Sequence, residues 1–197
     1  MSSNNVLTCE IIAQETPYVT RNCSKCKRIT EFNCSEKFRV NANQKMVDIW
    51  LIYNCIHCEG TWNYPILSRV HVNKINSILH EKFMNNDQET SWYYAFQINQ
   101  LRKLCKDVNT DIRYELRKEY LGSMTNETTI RLCCKYDFGL RIDKLIAEIF
   151  DISRTKVNKL AQDGMLLLHP KINMKNKITD DIQITVKGDW YSIDTLT

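Results

Sequence analysis

Glycine is scarce in this chain, with five residues in 197, and proline is scarcer, with three. A phosphate-cradling loop needs glycines close together, and no Gly-rich loop, His-Glu-x-x-His pair or Gly-x-Ser-x-Gly elbow occurs. The common nucleotide-cradling, metalloprotease and serine-hydrolase frameworks are therefore excluded. Long apolar runs are also missing. The best candidate, Ile49 to Tyr53, is strand-sized, far short of the ~20 residues that cross a bilayer, so no membrane partner is expected. Net charge is a modest +4, too small by itself to require a nucleic-acid partner. What the chain does have is cysteine. Nine of them, an odd number behind the polar start Met1-Ser2-Ser3-Asn4-Asn5, point to a reducing cytoplasm rather than a disulfide framework.

Four of the nine stand in two identical pairs, Cys23-Ser-Lys-Cys26 and Cys55-Ile-His-Cys58. Two thiolates spaced by two residues grip one cation from a tight turn, and two such turns complete a tetrahedron of sulfur. The predicted ligands are Cys23, Cys26, Cys55 and Cys58, and the predicted ion is Zn²⁺. Iron would use the same ligands. The competing reading, two buried pairs of free thiols, is the weaker one. The 28 intervening residues read as a β-hairpin turning at Asn41-Ala42-Asn43-Gln44. A four-thiolate site is coordinatively closed, so it stabilises a fold rather than activating water. The glycine that commonly follows such knuckles is absent after Cys26, and Gly60 falls one residue late after Cys58. Cys9 and Cys34 are read as packing residues.

Charge is unevenly distributed. Residues 21–45 carry seven Lys or Arg against Glu31 and Glu36; residues 46–138 carry eleven of each sign; residues 141–177 carry eight against Asp143, Glu148, Asp151 and Asp163. Both ends are basic and the middle is neutral. The period-two pattern predicts strands at Cys9–Ala13, Phe32–Asn41 and Met46–Asn54, the last with two largely apolar faces and so covered on each side. The period then lengthens to that of a helix. Ile75, Ile78, Leu79 and Phe83 form one stripe behind a possible Asn73 cap, and Tyr94, Ile98, Leu101 and Cys105 a second behind Ser91. Ile112, Leu116 and Tyr120 form a third, ending at Gly122. The cluster Trp92, Tyr93, Tyr94, Phe96 is read as core rather than a base-stacking platform. Residues 122–128 read as a linker, and Thr129–Cys134 as a strand with Ile130, Leu132 and Cys134 inward.

In the last third, Ile142, Leu145, Ile146, Ile149 and Phe150 fall at i, i+3, i+4, i+7 and i+8, a complete apolar stripe. Ser153 caps a second helix that ends at Gly164. The outward residues are basic: Arg141, Lys144, Arg154, Lys156 and Lys159. That constellation suits phosphate. The segments Leu-Arg141-Ile-Asp143-Lys144-Leu-Ile-Ala, Ile-Ser153-Arg154-Thr-Lys156-Val, Gly164 and Asp181-Ile-Gln-Ile-Thr-Val resemble the small RNA-binding domain named after ribosomal small-subunit protein four. The resemblance covers about a quarter of the chain. It implies RNA contacts for Arg141, Lys144, Arg154, Lys156, Lys159 and Lys171, and a structural role for Asp143. It departs after Gly164, where Met165-Leu-Leu-Leu-His169-Pro170 replaces the family's valine-rich strand and Asn-Gly turn. The stretches Phe38–Lys45 and Asp48–Cys55, with Cys58 and Thr61-Trp62-Asn63, resemble a bacterial family of conserved cytoplasmic proteins listed only as a domain of unknown function.

The sequence thus predicts an α+β fold: a zinc-ribbon-like β-hairpin region over 1–72, a helical region over 73–121 packed on it, and a helix-helix-strand RNA-binding module over 129–197. The expected function is a non-catalytic, zinc-containing RNA-binding protein acting on rRNA or tRNA. The rival is a zinc-scaffolded protein-interaction or regulatory module. An RNA-modifying enzyme would need a pocket within residues 60–121, for which the sequence supplies no catalytic residues.

Overall fold

The computed structural model describes residues 6–121 and 127–188. Its elements, in chain order, are β1 (Val6–Ala13), β2 (Tyr18–Cys23), β3 (Arg28–Asn43), β4 (Met46–Cys55) and β5 (Thr61–His71), then α1 (Ser77–Met84), α2 (Gln88–Ala95) and α3 (Ile98–Leu104). There follow β6 (Asp107–Asn109), β7 (Tyr114–Leu121), β8 (Glu127–Cys134), α4 (Ile142–Ile149), α5 (Arg154–Gln162), β9 (Leu166–His169) and β10 (Ile182–Lys187). Strand dominates. The chain forms two five-stranded sheets, ordered β7-β1-β8-β10-β9 and β5-β4-β3-β2-β6. The expected architecture of a hairpin, a central helical layer and a small helix-helix-strand module is therefore wrong.

The two sheets belong to two compact units. One comprises residues 15–112; the other combines 1–14 with 113–197, so the first is an insertion between β1 and β7 of the second. The chain divides there, rather than near 72 and 122.

In the unit of residues 15–112 the sheet is wholly antiparallel. Val47, Ile49, Leu51 and Tyr53 of β4 share one face by the two-residue period, and all are buried, together with Val19, Phe32 and Phe38. Phe83, Ala95 and Leu101 of α1, α2 and α3 join the same apolar cluster. The opposite face of β4 is less covered than its composition suggests: Asp48, Trp50 and Ile52 are half-buried and Met46 is exposed. A bulge in β3 between Cys34 and Phe38 puts Glu36 at φ 59° and frees the Phe38 N–H, which donates to Asn86 Oδ1 at 2.7 Å. The Glu36 carboxylate accepts from Trp92 Nε1 at 2.6 Å and from Gln88 Nε2 at 3.2 Å, pinning α2 onto the strand. Tyr94 stacks edge-on to Phe38 and packs with Phe83, and Phe96 is buried, so the aromatic run faces the core except at Tyr93, which is exposed. The first helix is capped by Asn76, whose Oδ1 accepts from Ile78 and Leu79, rather than by Asn73. The stripe beginning at Tyr94 is split between α2 and α3.

In the other unit β1 runs parallel to β8 and antiparallel to β7, while β10 runs antiparallel to both β8 and β9. The strands after α5 are thus continued by β8, β1 and β7 into one mixed sheet, so the C-terminal helices and strands described share a unit with β1 rather than standing apart from it. Leu7, Cys9 and Ile11 are buried, as are Ile130, Leu132 and Cys134 of β8. The α4 stripe behaves as its spacing requires: Ile142, Leu145, Ile146, Ile149 and Phe150 are all buried, each stabilising the unit by about 2 kcal/mol. Residues 114–121 are strand β7, not the third helix. The expected linker falls mostly on 122–126, outside the described residues, and its last two positions belong to β8.

Candidate functional site

The antiparallel sheet brings the four predicted ligands together. Cys23 ends β2 and Cys55 ends β4, both are buried, and the turns after them carry Cys26 and Cys58. The four sulfurs all lie within 4.8 Å of one another. Cys23 Sγ stands 3.5 Å from Cys58 Sγ, and Cys26 Sγ 3.8 Å from Cys55 Sγ. Sulfurs about 2.3 Å from a shared tetrahedral Zn²⁺ are about 3.8 Å apart, so the cluster has the dimensions of a four-thiolate metal site. Cys34 is excluded from it; burial foremost pushes its thiol up to about 12.

The two knuckles have the same backbone. In each, the residue after the second cysteine turns left-handed, Lys27 at φ 58° and Glu59 at φ 53°, and donates its N–H back to the first cysteine's carbonyl, at 2.8 Å and 3.1 Å. The Cys26 N–H also donates to Cys23 Sγ at 3.3 Å. Backbone donors of this kind favour the thiolate. Burial alone raises the Cys55 thiol, but the N–H groups of His57 and Cys58 and the neighbouring sulfurs outweigh it and bring it down to about 6. The Cys26 thiol is pushed up to about 12, first by its hydrogen bond with Cys58 and then by burial. Crowded thiols resist losing several protons together unless a cation compensates the charge.

Gly60 has a role that the sequence pattern concealed. Its carbonyl accepts from the Cys55 N–H at 2.8 Å, and a Cβ there would stand 3.2 Å from Cys58 Sγ and 3.3 Å from Lys25 Cβ. The glycine is needed for close approach of the two knuckles rather than for a left-handed turn. Lys25 Nζ donates to the Cys58 carbonyl at 3.1 Å, tying one knuckle to the other. Two residues before Cys23, the Arg21 guanidinium lies 4.1 Å over the Trp62 ring.

The predicted phosphate-contacting residues lie in the other unit. Arg141 precedes α4, and Asp143 in its first turn is buried at 1% exposure. Its carboxylate accepts from Arg141 Nη2 at 2.6 Å and Nε at 3.0 Å, and from Arg154 Nη2 at 3.1 Å. One buried carboxylate thus fixes two guanidinium groups, which remain 39% and 51% exposed. Burial would raise the Asp143 carboxyl, but the bonds from Arg141 and then Arg154 hold it below its usual range. Ser153 caps α5, accepting from the Lys156 N–H at 3.2 Å. Lys144, Lys156 and Lys159 are exposed. Lys171 lies apart from this helix face, on the rim of a groove of about 610 Å³ bounded by α5, β9 and the segment after Pro170. Lys175, Asn158 and Gln162 also line that groove. Only the i, i+4 spacing of Arg154, Asn158 and Gln162 signalled in the sequence that the last two share a helix face.

No helix among the described residues is long and apolar enough to cross a membrane. All nine cysteines are free thiols. No curated protein and no solved structure matches the chain. A family model described as "Protein of unknown function (DUF1062)" matches residues 40–172, a span that opens in β3, contains Cys55 and Cys58 and both basic helices, and begins after Cys23 and Cys26. With two thirds of its length inside that match, the chain belongs to this family.

Proposed function

We propose that this chain is a non-catalytic, zinc-stabilised protein of the cytoplasm that binds structured RNA through the basic face of α4 and α5. The observation that carries the reading is the arrangement around Asp143. One buried carboxylate fixes Arg141 and Arg154 through Nε and Nη2 of each while both side chains stay partly exposed, and Lys156 and Lys159 stand exposed on α5. Planar guanidinium forks held in place are suited to phosphate oxygens. Asp143 cancels only part of this charge.

Zinc suits the four-thiolate donor set, which fills a tetrahedron and leaves no position for substrate. Its part is to fasten the tip of the antiparallel sheet. Free cysteines throughout agree with a reducing compartment.

The test is fluorescence anisotropy with a structured RNA, tRNA and an rRNA hairpin being the first choices, across a range of salt. Each phosphate contact contributes about 0.7 to 0.9 to the slope of log affinity against log salt. Lys156→Ala/Lys159→Ala should therefore reduce that slope by roughly 1.5, while the thermal unfolding midpoint stays put. An unchanged slope in this double variant would sink the assignment.

A second reading, a zinc-scaffolded protein-interaction module, is favoured by one observation. Ile29 and Ile56, at the cysteine-bearing end of the sheet, are 53% and 49% exposed. A protein captured by the wild type and lost on Ile29→Ser/Ile56→Ser, with no salt-dependent RNA binding, would support that reading instead.

A further inference from the structure

The groove beside α5 has a composition of its own. Its floor includes Leu167 and Ile172, both half-buried, and its rim carries Lys171 and Lys175, both exposed. Asn158 and Gln162 project from α5, and no aspartate or glutamate lines it. Its volume of about 610 Å³ lies in the range of small-molecule sites. An apolar floor takes the face of a flat ring. Two carboxamides, each offering a donor and an acceptor, can pair with the edge of that ring. Two exposed ammonium groups, with no carboxylate among the lining residues, make the rim attractive to an anion. A nucleoside phosphate combines a planar ring, a hydrogen-bonding edge and an anion in one ligand, and so matches this lining.

Position adds an independent argument. Arg154, Asn158 and Gln162 fall at i, i+4 and i+8, on one line along the helix, and Asn158 Nδ2 donates to the Arg154 carbonyl at 2.7 Å. Arg154 thus stands one helical turn before the first groove residue of α5. A strand whose phosphates lay on Arg154 and Lys156 would bring its next unpaired residue to the groove mouth. Unpaired, unstacked nucleotides are what RNA-binding proteins read by sequence.

We propose that this groove is a nucleotide site, the base lying on Leu167 and Ile172, its edge paired by Asn158 and Gln162, and its phosphate held by Lys171 and Lys175. As a subsite for an extruded nucleotide of RNA it rests on the reading above; a free mononucleotide presents the same chemistry.

The experiment uses the full, zinc-loaded chain and three probes: adenosine 5′-monophosphate, and two RNA hairpins identical except for an unpaired adenosine in one. The expected result is about tenfold tighter binding of the bulged hairpin, the discrimination of one well-paired base. Asn158→Ala/Gln162→Ala should abolish that preference and leave the plain hairpin bound as before. Lys171→Ala/Lys175→Ala, at exposed positions that leave folding intact, should likewise remove the preference and any binding of the monophosphate. Equal hairpin affinities with no monophosphate binding would overturn the groove proposal and leave the RNA reading standing. Monophosphate binding that Lys171→Ala/Lys175→Ala removes, with no RNA binding at all, would establish the groove as a site for free nucleotide and overturn the RNA reading. A bulge preference that survives both variants would overturn the groove, and failure of all three probes would overturn both readings.

Discussion

Lys27 and Glu59 occupy equivalent left-handed positions behind the two knuckles. Side chains with a Cβ pay about 1 kcal/mol for that conformation, and glycine does not. Lys27→Gly and Glu59→Gly should each raise the unfolding free energy of the metal-loaded protein, read from urea melts, by about 0.5 to 1 kcal/mol, with metal stoichiometry unchanged. A loss of stability in either would show that its side chain supports the turn. Asp143 behaves in the opposite sense. Its folded carboxyl ionises below its usual value, so as pH falls the unfolded chain takes up the proton first. Stability from this group is complete above about pH 4, the unfolded carboxyl's range, and drains as pH drops through the folded value. Asp143→Asn should therefore be less stable at neutral pH and show a flatter acid limb in a pH series of thermal melts. Removing both arginines should cost more at neutral pH, about 3 kcal/mol. A buried carboxylate would then be left without partners, whereas arginines that lose Asp143 can still reach water.

At the scale of elements, the sequence exposed chemistry better than topology. The Cys-x-x-Cys pairs, the α4 stripe and the Ser153 cap were all readable, because each depends on spacing within one segment. Residues 112–120 were misread for a definite reason: Ile112, Leu116 and Tyr120 are four apart, a spacing shared by one face of a helix and one face of a strand. Their neighbours Glu115, Arg117 and Glu119 lie at β7 positions that pair with β1, a partner about a hundred residues away. Strand β5 escaped notice because Pro65 interrupts it, and proline is tolerated there because β5 is at a sheet edge. Bulges against β4 also break its alternation. The knuckles were legible, but Gly60 was not, since its purpose emerges only when Cys23 and Cys58 meet. Chelation tests the element that these parts form. Removing the metal of the proposed four-thiolate site should loosen β2–β5 at their cysteine ends first, seen as accelerated hydrogen exchange of the amides of Cys26, Cys55 and Glu59, while β8 and β10 stay protected. Cys55→Ser should reproduce that pattern in the presence of metal. Uniform loss of protection across both sheets would instead place the metal at the centre of global stability.

On the scale of the whole molecule, the insertion point is well defined. Ala13 pairs with Tyr114, and the Gln14 N–H donates to the Arg113 carbonyl at 2.9 Å, so the inserted unit leaves and re-enters at adjacent backbone positions. Replacing residues 15–112 with an Asn-Gly turn should close β1 and β7 into a hairpin and give a chain that unfolds cooperatively and binds RNA. Residues 15–112 expressed alone should take up zinc. If the shortened chain proved molten, with native secondary structure but no fixed packing, the insertion would be required for the sheet around it.

That same layout sets an order of events during synthesis. β1 is made early, but both of its partners, β7 and β8, lie roughly a hundred residues downstream, a delay of about 5 to 20 s at ordinary translation rates. Until they arrive, the first strand has no sheet to join, while the four strands β2 to β5 around the cysteines are complete by residue 71. All four cysteines of the candidate metal site are therefore made before the basic helices exist, and an apolar strand, Leu7-Thr-Cys9-Glu-Ile11, waits unpaired for a companion. On the zinc reading, starvation for the metal would be felt from that stage, on the ribosome, onward.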